Sequence, residues 1–139
     1  MSQENVKLAR AMIEAFDRGD LDAVLANVHP RIVWRVGSFA ELTDLGLDPV
    51  YVGHEGVLRF WAEWLKAWET VSFEQEDLID AGPDRVIQVL SQRMRGQASG
   101  AEVEQTSYAS IWTIRDGALF ELEFFRSREE ALDAVGLRE

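Results

Sequence analysis

Few side chains in this sequence are equipped for acid–base or metal chemistry, and their spacing decides how far each can be taken. Histidine occurs twice, as His29 before Pro30 and as His54 at the head of a tryptophan-rich run. No H-x-H or H-x-x-x-H spacing joins them, so no metal site is expected. The chain has no cysteine, which removes a thiol nucleophile, a disulfide framework and a redox switch. An imidazole titrates close to neutrality, which makes His54 a candidate base at a pocket rim; the plainer reading is a surface histidine at a helix start. Arg35, in "VWRV", is a candidate for catalysis or anion binding, with a simple salt bridge to Glu41 or Asp44 as the alternative. Glu74, Glu76, Asp77 and Asp80 form an acidic run that reads as a solvated strand edge. No motif calls for a cofactor.

The other noteworthy side chains are large and apolar. In "HEGVLRFWAEWLKAW", Trp61, Trp64 and Trp68 recur at i, i+3 and i+7, the spacing of one helix face. Such rings are ordinarily core, and each buries about 150–250 Å². Their number, together with amides expected opposite them, favours the wall of a ligand pocket.

The elements that must position these residues follow from pattern. Leu8, Ala9, Met12, Ile13 and Phe16 make an apolar stripe, predicting a helix from Asn5 to Arg18 that Gly19 ends. Asp20 caps a short second helix through Leu21, Val24, Leu25 and Val28, stopped by Pro30. "RIVWRV" reads as a strand. Residues 38–53 read as a long loop of the kind that forms entrances and lids. The tryptophan helix follows, with Val57, Phe60, Trp61, Trp64, Leu65 and Trp68 inward. Four strands come next: "VSFEQEDLID", "RVIQVLSQRMRG", "AEVEQTSYASIWTIR" and "ALFELEFF". Ser99-Gly100 and Asp116-Gly117 are taken as the last two turns. Ser127 with Glu130 opens a last helix that Gly136 closes. The class is α+β, a single domain over residues 1–139.

Counting from those turns sorts the strands by face. One face collects Leu90, Gln92, Gln105, Ser107 and Phe124, and is expected to meet the helices. Burying an unpaired amide costs about 1–3 kcal/mol, so Gln92, Gln105 and Ser107 either satisfy one another or serve a ligand. The opposite face collects Tyr108, Trp112 and Phe125 among charges of both signs, a composition suited to a homodimer contact.

Composition sets the outer limits. The chain has 139 residues, with 14 basic and 25 acidic ones and a formal net charge of −11. That sign repels phosphate backbones and anionic headgroups, so neither nucleic acid nor a membrane is an expected partner. The start, "MSQENVKLARAMIEAF", lacks the apolar stretch of a secretory signal, which leaves the cytoplasm as the expected location.

The order of elements, with "YVGHEGVLRFWAEW", "QVLSQRMRGQASGAEVEQ" and "SIWTIRDGALFELEFFRSREEALDAVGL", resembles the SnoaL-like branch of the NTF2-like superfamily across nearly the whole chain. The resemblance implies a cone, in which a curved mixed or antiparallel sheet wraps around three helices of the N-terminal half, with a short C-terminal helix. It also implies a pocket between sheet and helices, usually within a dimer. Ketosteroid isomerases of this superfamily carry an aspartate whose position falls near Arg35. Its polyketide cyclases and epoxide hydrolases carry one at a position corresponding to Phe124. Both carboxylates are missing here. The expected function is therefore binding of a hydrophobic cyclic or acyl molecule by Phe16, Trp34, Trp61, Trp64, Leu90, Gln92, Gln105, Ser107 and Phe124. An isomerase-, cyclase- or hydrolase-type enzyme with a non-standard acid or base is the alternative, and a protein-interaction module the third reading.

Overall fold

A computed structural model describes residues 2–36, 47–66, 68–96 and 100–137. The stripe of Ala9, Met12, Ile13 and Phe16 winds into helix α1, Ser2–Asp17. Gly19, at φ +74°, turns the chain out of it, a conformation that costs glycine nothing. Asp20 then caps α2, Leu21–Ala26, its carboxylate accepting from the Ala23 N–H at 3.1 Å. Strand β1, Val28–Arg35, follows directly.

Within the stretch expected to be one loop, Val50–Val52 forms a short strand β2 paired antiparallel to β1. Helix α3 occupies Gly53–Lys66. It buries Gly56, Val57, Phe60 and Trp64, while Leu65, expected inward, is exposed. Trp68 was expected on this helix and instead opens strand β3, Trp68–Asp80. Strands β4, Arg85–Gly96, β5, Glu102–Arg115, and β6, Ala118–Phe125, complete a six-stranded sheet in the order β2-β1-β6-β5-β4-β3. All neighbours run antiparallel except β1 and β6. The sheet is curved and mixed, as expected for an α+β cone.

Asp116 and Gly117 both have φ near +50° to +75°, the mirror-image turn expected at this hairpin. Helix α4, Arg128–Ala134, starts at Ser127, whose Oγ accepts from the Glu130 N–H at 3.2 Å. It covers the outer side of the sheet, packing Ala131 and Leu132 on Ile87, Val89, Ala109 and Ile111.

That outer packing exposes an error in the expected face assignment. Leu90 pairs with Tyr108 and Gln92 with Gln105, so Ser91 opposes both Thr106 and Ser107. Ser107 takes φ +52° at this bulge, and each following residue of β5 is turned over. A second irregularity beside Phe120 preserves the change: Trp112 pairs with Leu122, and Ile111 with Glu123. Tyr108 and Trp112 therefore belong to the inner core, and the homodimer contact expected of them is corrected. Of the three residues assigned there, only Phe125 lies on the outer side.

Candidate functional site

The inner face of the sheet does not meet the helices everywhere. Between them lies a cavity of about 130 Å³ that opens to solvent at one end. From α1 come Met12, Ile13, Phe16 and Asp17; from α3 come Val57 and Trp61; from β1 comes Trp34. The sheet contributes Leu90, Tyr108, Trp112, Leu122 and Phe124, among others. An adjoining recess of about 20 Å³ is lined by Trp64 and Gln92 and shares Trp61, Tyr108 and Phe124 with the larger space.

Local rules explain these placements. Phe16 follows Met12 by four residues and Ile13 by three, so all three project from one side of α1. Trp61 stands one position after Phe60 on α3. Phe60 is driven into the core, and Trp61 lies at the edge of the buried face, partly buried. Strand β1 alternates, burying Ile32 and Trp34 and turning Val33 and Arg35 to the other side. The rings meet closely: Phe16 and Trp61 tilted at 4.8 Å between centroids, Trp34 and Phe60 tilted at 5.4 Å, and Trp34 and Phe124 edge to face at 5.6 Å. Such pairs contribute about 0.5–1.5 kcal/mol each beyond their burial.

Polar groups gather at one end. Asp17 and Gln75 are exposed and Gln88 is half buried, which puts the mouth between the end of α1 and strand β3. Gln88 Nε2 donates to Gln75 Oε1 at 2.8 Å, and Gln75 Nε2 donates to the Asp77 carbonyl at 2.7 Å. Behind them the Trp112 indole N–H donates to Ser110 Oγ at 3.0 Å. Tyr108 is buried, and burial raises the pKa of its phenol, which stays neutral. Trp34 is only 6% exposed, and its indole Nε1–H has no hydrogen-bond partner among the described residues.

Several expected site residues sit elsewhere. Ser107 is exposed at the bulge: its N–H donates to Ser91 Oγ at 2.9 Å and its Oγ to Glu76 at 2.9 Å. Ser91 also donates to Glu76, and the two hydroxyls hold that carboxyl below its usual range. Ser107 is thus withdrawn from the cavity face. Arg35 is half exposed on the outer side and binds Glu121 at 2.6 Å, a bond that raises its own pKa. Its expected partners Glu41 and Asp44 lie outside the described residues. His54 is not at the cavity: its Nε2 lies 2.7 Å from the Val28 carbonyl, tying the start of α3 to β1. Gln105 pairs in register with Gln92, and its side chain is outside what the structure describes. Phe16, Trp34, Trp61, Leu90 and Phe124 line the larger space, and Trp64 and Gln92 the smaller.

Sequence reasoning missed Asp17, Tyr108 and Trp112 as lining residues. Asp17 was legible as the next residue after Phe16 on the same helix. Tyr108 and Trp112 were hidden by the bulge. The arrangement can hold an apolar body between aromatic walls and meet polar groups at the opening. Among the described residues its lining offers one carboxylate and neither a histidine nor a cationic side chain. Among the described residues no group of His, Asp or Glu is placed to hold a metal.

A model of the SnoaL-like domain matches residues 9–122, and the chain belongs to this family. No curated protein matches the sequence. Solved structures similar in fold include TerC co-crystallised with polyporic acid, at 20% identity and a TM-score of 0.75 over 95% of this chain and 97% of that one. An NTF2-like protein of unknown function from Burkholderia pseudomallei aligns at 20% identity and a TM-score of 0.77, covering 96% and 98% of the two chains. A Mycobacterium tuberculosis protein in complex with estradiol-17beta-hemisuccinate aligns at 14% identity and a TM-score of 0.67, covering 87% and 92%. At these identities the likeness is one of fold.

Proposed function

We propose that this chain binds a hydrophobic small molecule, a ring system or an acyl chain, in the cavity between α1, α3 and the sheet. One observation carries the reading: an aromatic-walled cavity of about 130 Å³ whose exposed polar residues lie at its mouth. A closed core would fill that space, because each methylene-sized gap left in a core costs about 1 kcal/mol. Similarly folded proteins with polyporic acid and with estradiol-17beta-hemisuccinate support a small-molecule role. Phe16, Trp34, Trp61, Leu90 and Phe124 would grip the apolar body, with Trp64 and Gln92 in the adjoining recess.

Native mass spectrometry of protein purified gently from its own host tests this reading. The expected spectrum carries a non-covalent adduct that disappears on denaturation. The reading fails if the chain is adduct-free and no apolar probe raises its melting temperature. A homodimer is part of the proposal. With Tyr108 and Trp112 inside, its contact would use Phe125 and the outer Arg93–Glu104 and Arg95–Glu102 pairs. Light scattering at a monomer's mass would remove it.

Asp17 supports a second reading. Among the described residues it is the one carboxylate in the cavity lining and sits at the opening, so it is a candidate base for proton transfer. Once a substrate is in hand, Asp17→Asn with unchanged turnover would rule that role out.

A further inference from the structure

The rim of the cavity differs in chemistry from its depth. Trp34, Tyr108, Trp112 and Phe124 are buried, whereas Phe16, Trp61 and Phe73 are only partly so. Those three rings touch one another. Their centroids lie 4.8 Å apart for Phe16 and Trp61, 5.9 Å for Phe16 and Phe73, and 6.1 Å for Trp61 and Phe73. With them stand Asp17 and Gln75, the exposed members of the described lining. The Gln75 amide is engaged, accepting from Gln88 and donating to the Asp77 carbonyl. Among the described residues no ion pair reaches Asp17, and its neighbour Arg18 turns to Asp20 instead, at 3.7 Å. Residues 37–46, outside the described ones, include Glu41 and Asp44 and no Lys, Arg or His. Asp17 also closes α1, whose last turn holds no basic residue. The carbonyl end of a helix carries about half a negative charge and ordinarily draws Lys, Arg or His. Here it meets a carboxylate, so two sources of negative potential coincide at the opening.

We propose that the molecule bound in this cavity is an amphiphilic cation, with its apolar ring or chain inside and an alkylammonium group at the mouth, facing Asp17. The inference rests on the ligand-binding reading and adds the ligand's charge to it. Each part of the rim favours that group. The carboxylate supplies the counter-charge, and the end of α1 adds to it. A cation within about 6 Å of an aromatic ring's centre is attracted to the ring face, and three such rings stand at the rim. The N–H groups of an ammonium find acceptors in the Asp17 oxygens. The net charge of −11 draws such a molecule in from solution. An alcohol at the same place has only a hydrogen bond to offer, and an acid is repelled. Inside, about 130 Å³ accepts a body the size of a phenyl ring, since an apolar cavity of about 150 Å³ takes up benzene.

Three probes on one skeleton separate the charge from the pocket beneath it. Phenethylamine, phenethyl alcohol and hydrocinnamate share a phenyl ring on two methylenes and end in a cation, a neutral group and an anion at pH 7. Calorimetric titration at about 0.01 M salt is expected to give phenethylamine about fivefold tighter binding than the alcohol, with hydrocinnamate weakest. The preference narrows at about 0.15 M salt, where the Debye length is shorter. Asp17→Asn brings the amine to the affinity of the alcohol and leaves the alcohol unchanged. Glu129→Gln removes one exposed charge from α4, on the outer side of the sheet, and keeps the preference. Equal binding of amine and alcohol overturns the charge assignment and leaves the pocket intact. A preference that survives Asp17→Asn, or that Glu129→Gln removes equally, overturns the role of the mouth. Failure of all three probes to bind overturns the pocket and this proposal together.

Discussion

The two tyrosines of this chain are both held away from water, in different ways, and their titration tests the packing at single-residue resolution. Tyr51 is buried, donates to Glu63 Oε1 at 2.6 Å and accepts from the Asp48 N–H at 2.8 Å. Burial first, and then the bond to Glu63, pushes its phenol up to about 12. Burial raises Tyr108 as well. A free phenol ionises near pH 10. Both native values lie above that, so this contribution to stability is fully present below about pH 10 and is lost as pH rises through the folded values. Native protein is expected to show no tyrosinate absorbance step near pH 10, and urea-unfolded protein to show both phenols there. A native step near 10 worth one tyrosine would mean that one of the two environments is described wrongly. The carboxylate of Glu63 has a further task, since Arg59 reaches both it, at 3.4 Å, and Asp48, at 2.7 Å, while lying 4.5 Å from the Tyr51 ring centre. Replacing Tyr51 by Phe leaves Glu63 and the Asp48 N–H without that partner. A loss of about 1–2 kcal/mol in urea denaturation is expected, and a neutral result would show the network to be decorative.

Elements are joined by the same logic of close contact. Gly56 lies within α3, where glycine costs about 1 kcal/mol relative to alanine. The reason it is there is steric: a Cβ would come within 3.2 Å of the Tyr51 backbone carbonyl carbon. Helix α3 and strand β2 touch main chain to main chain at this point. Gly56→Ala is expected to lower stability by about 1–2 kcal/mol despite its better helix propensity, because overpacking of this kind costs about 1–3 kcal/mol. A rise in melting temperature would show that the pair relaxes freely. Element identity was largely legible before the structure: the stripe of α1, the cap at Asp20, the Asp116-Gly117 turn and the Ser127 cap all stand where pattern puts them. The side-chain faces of β5 were not. "YASIWTI" is apolar on both parities because α4 covers one side of the sheet and α1 with α3 the other. Alternation carries no information in a strand buried on both faces, and register then depends on an unannounced bulge. Strand β2 was missed because three residues are too few to show a pattern. Gln92 and Phe124 were placed on the inner face correctly, since β4 has no such slip before them and β6 recovers its phase after Phe120.

At the scale of the whole molecule, the charge of −11 acts on whatever approaches the cavity. Among the described residues no helix is long and apolar enough to cross a membrane. Asp17 stands at the mouth, and among the described residues no cationic one lines the space behind it. An anionic apolar probe such as anilinonaphthalene sulfonate must therefore approach against the field and bury its charge near a like one. A neutral probe such as Nile red meets no such barrier. The Debye length contracts from about 30 Å at 0.01 M salt to about 8 Å at 0.15 M. Over that range the affinity for the sulfonate is expected to rise several-fold while that for Nile red stays nearly constant. Asp17→Asn should reproduce part of the gain at low salt, because it removes the charge nearest the opening and leaves the more distant ones. Fluorescence titrations of both probes at two salt concentrations decide the matter. Equal salt response for the two probes would place the entrance away from Asp17. A sulfonate that binds more weakly as salt rises would require a cationic site that the described lining does not contain, and with it a different class of ligand.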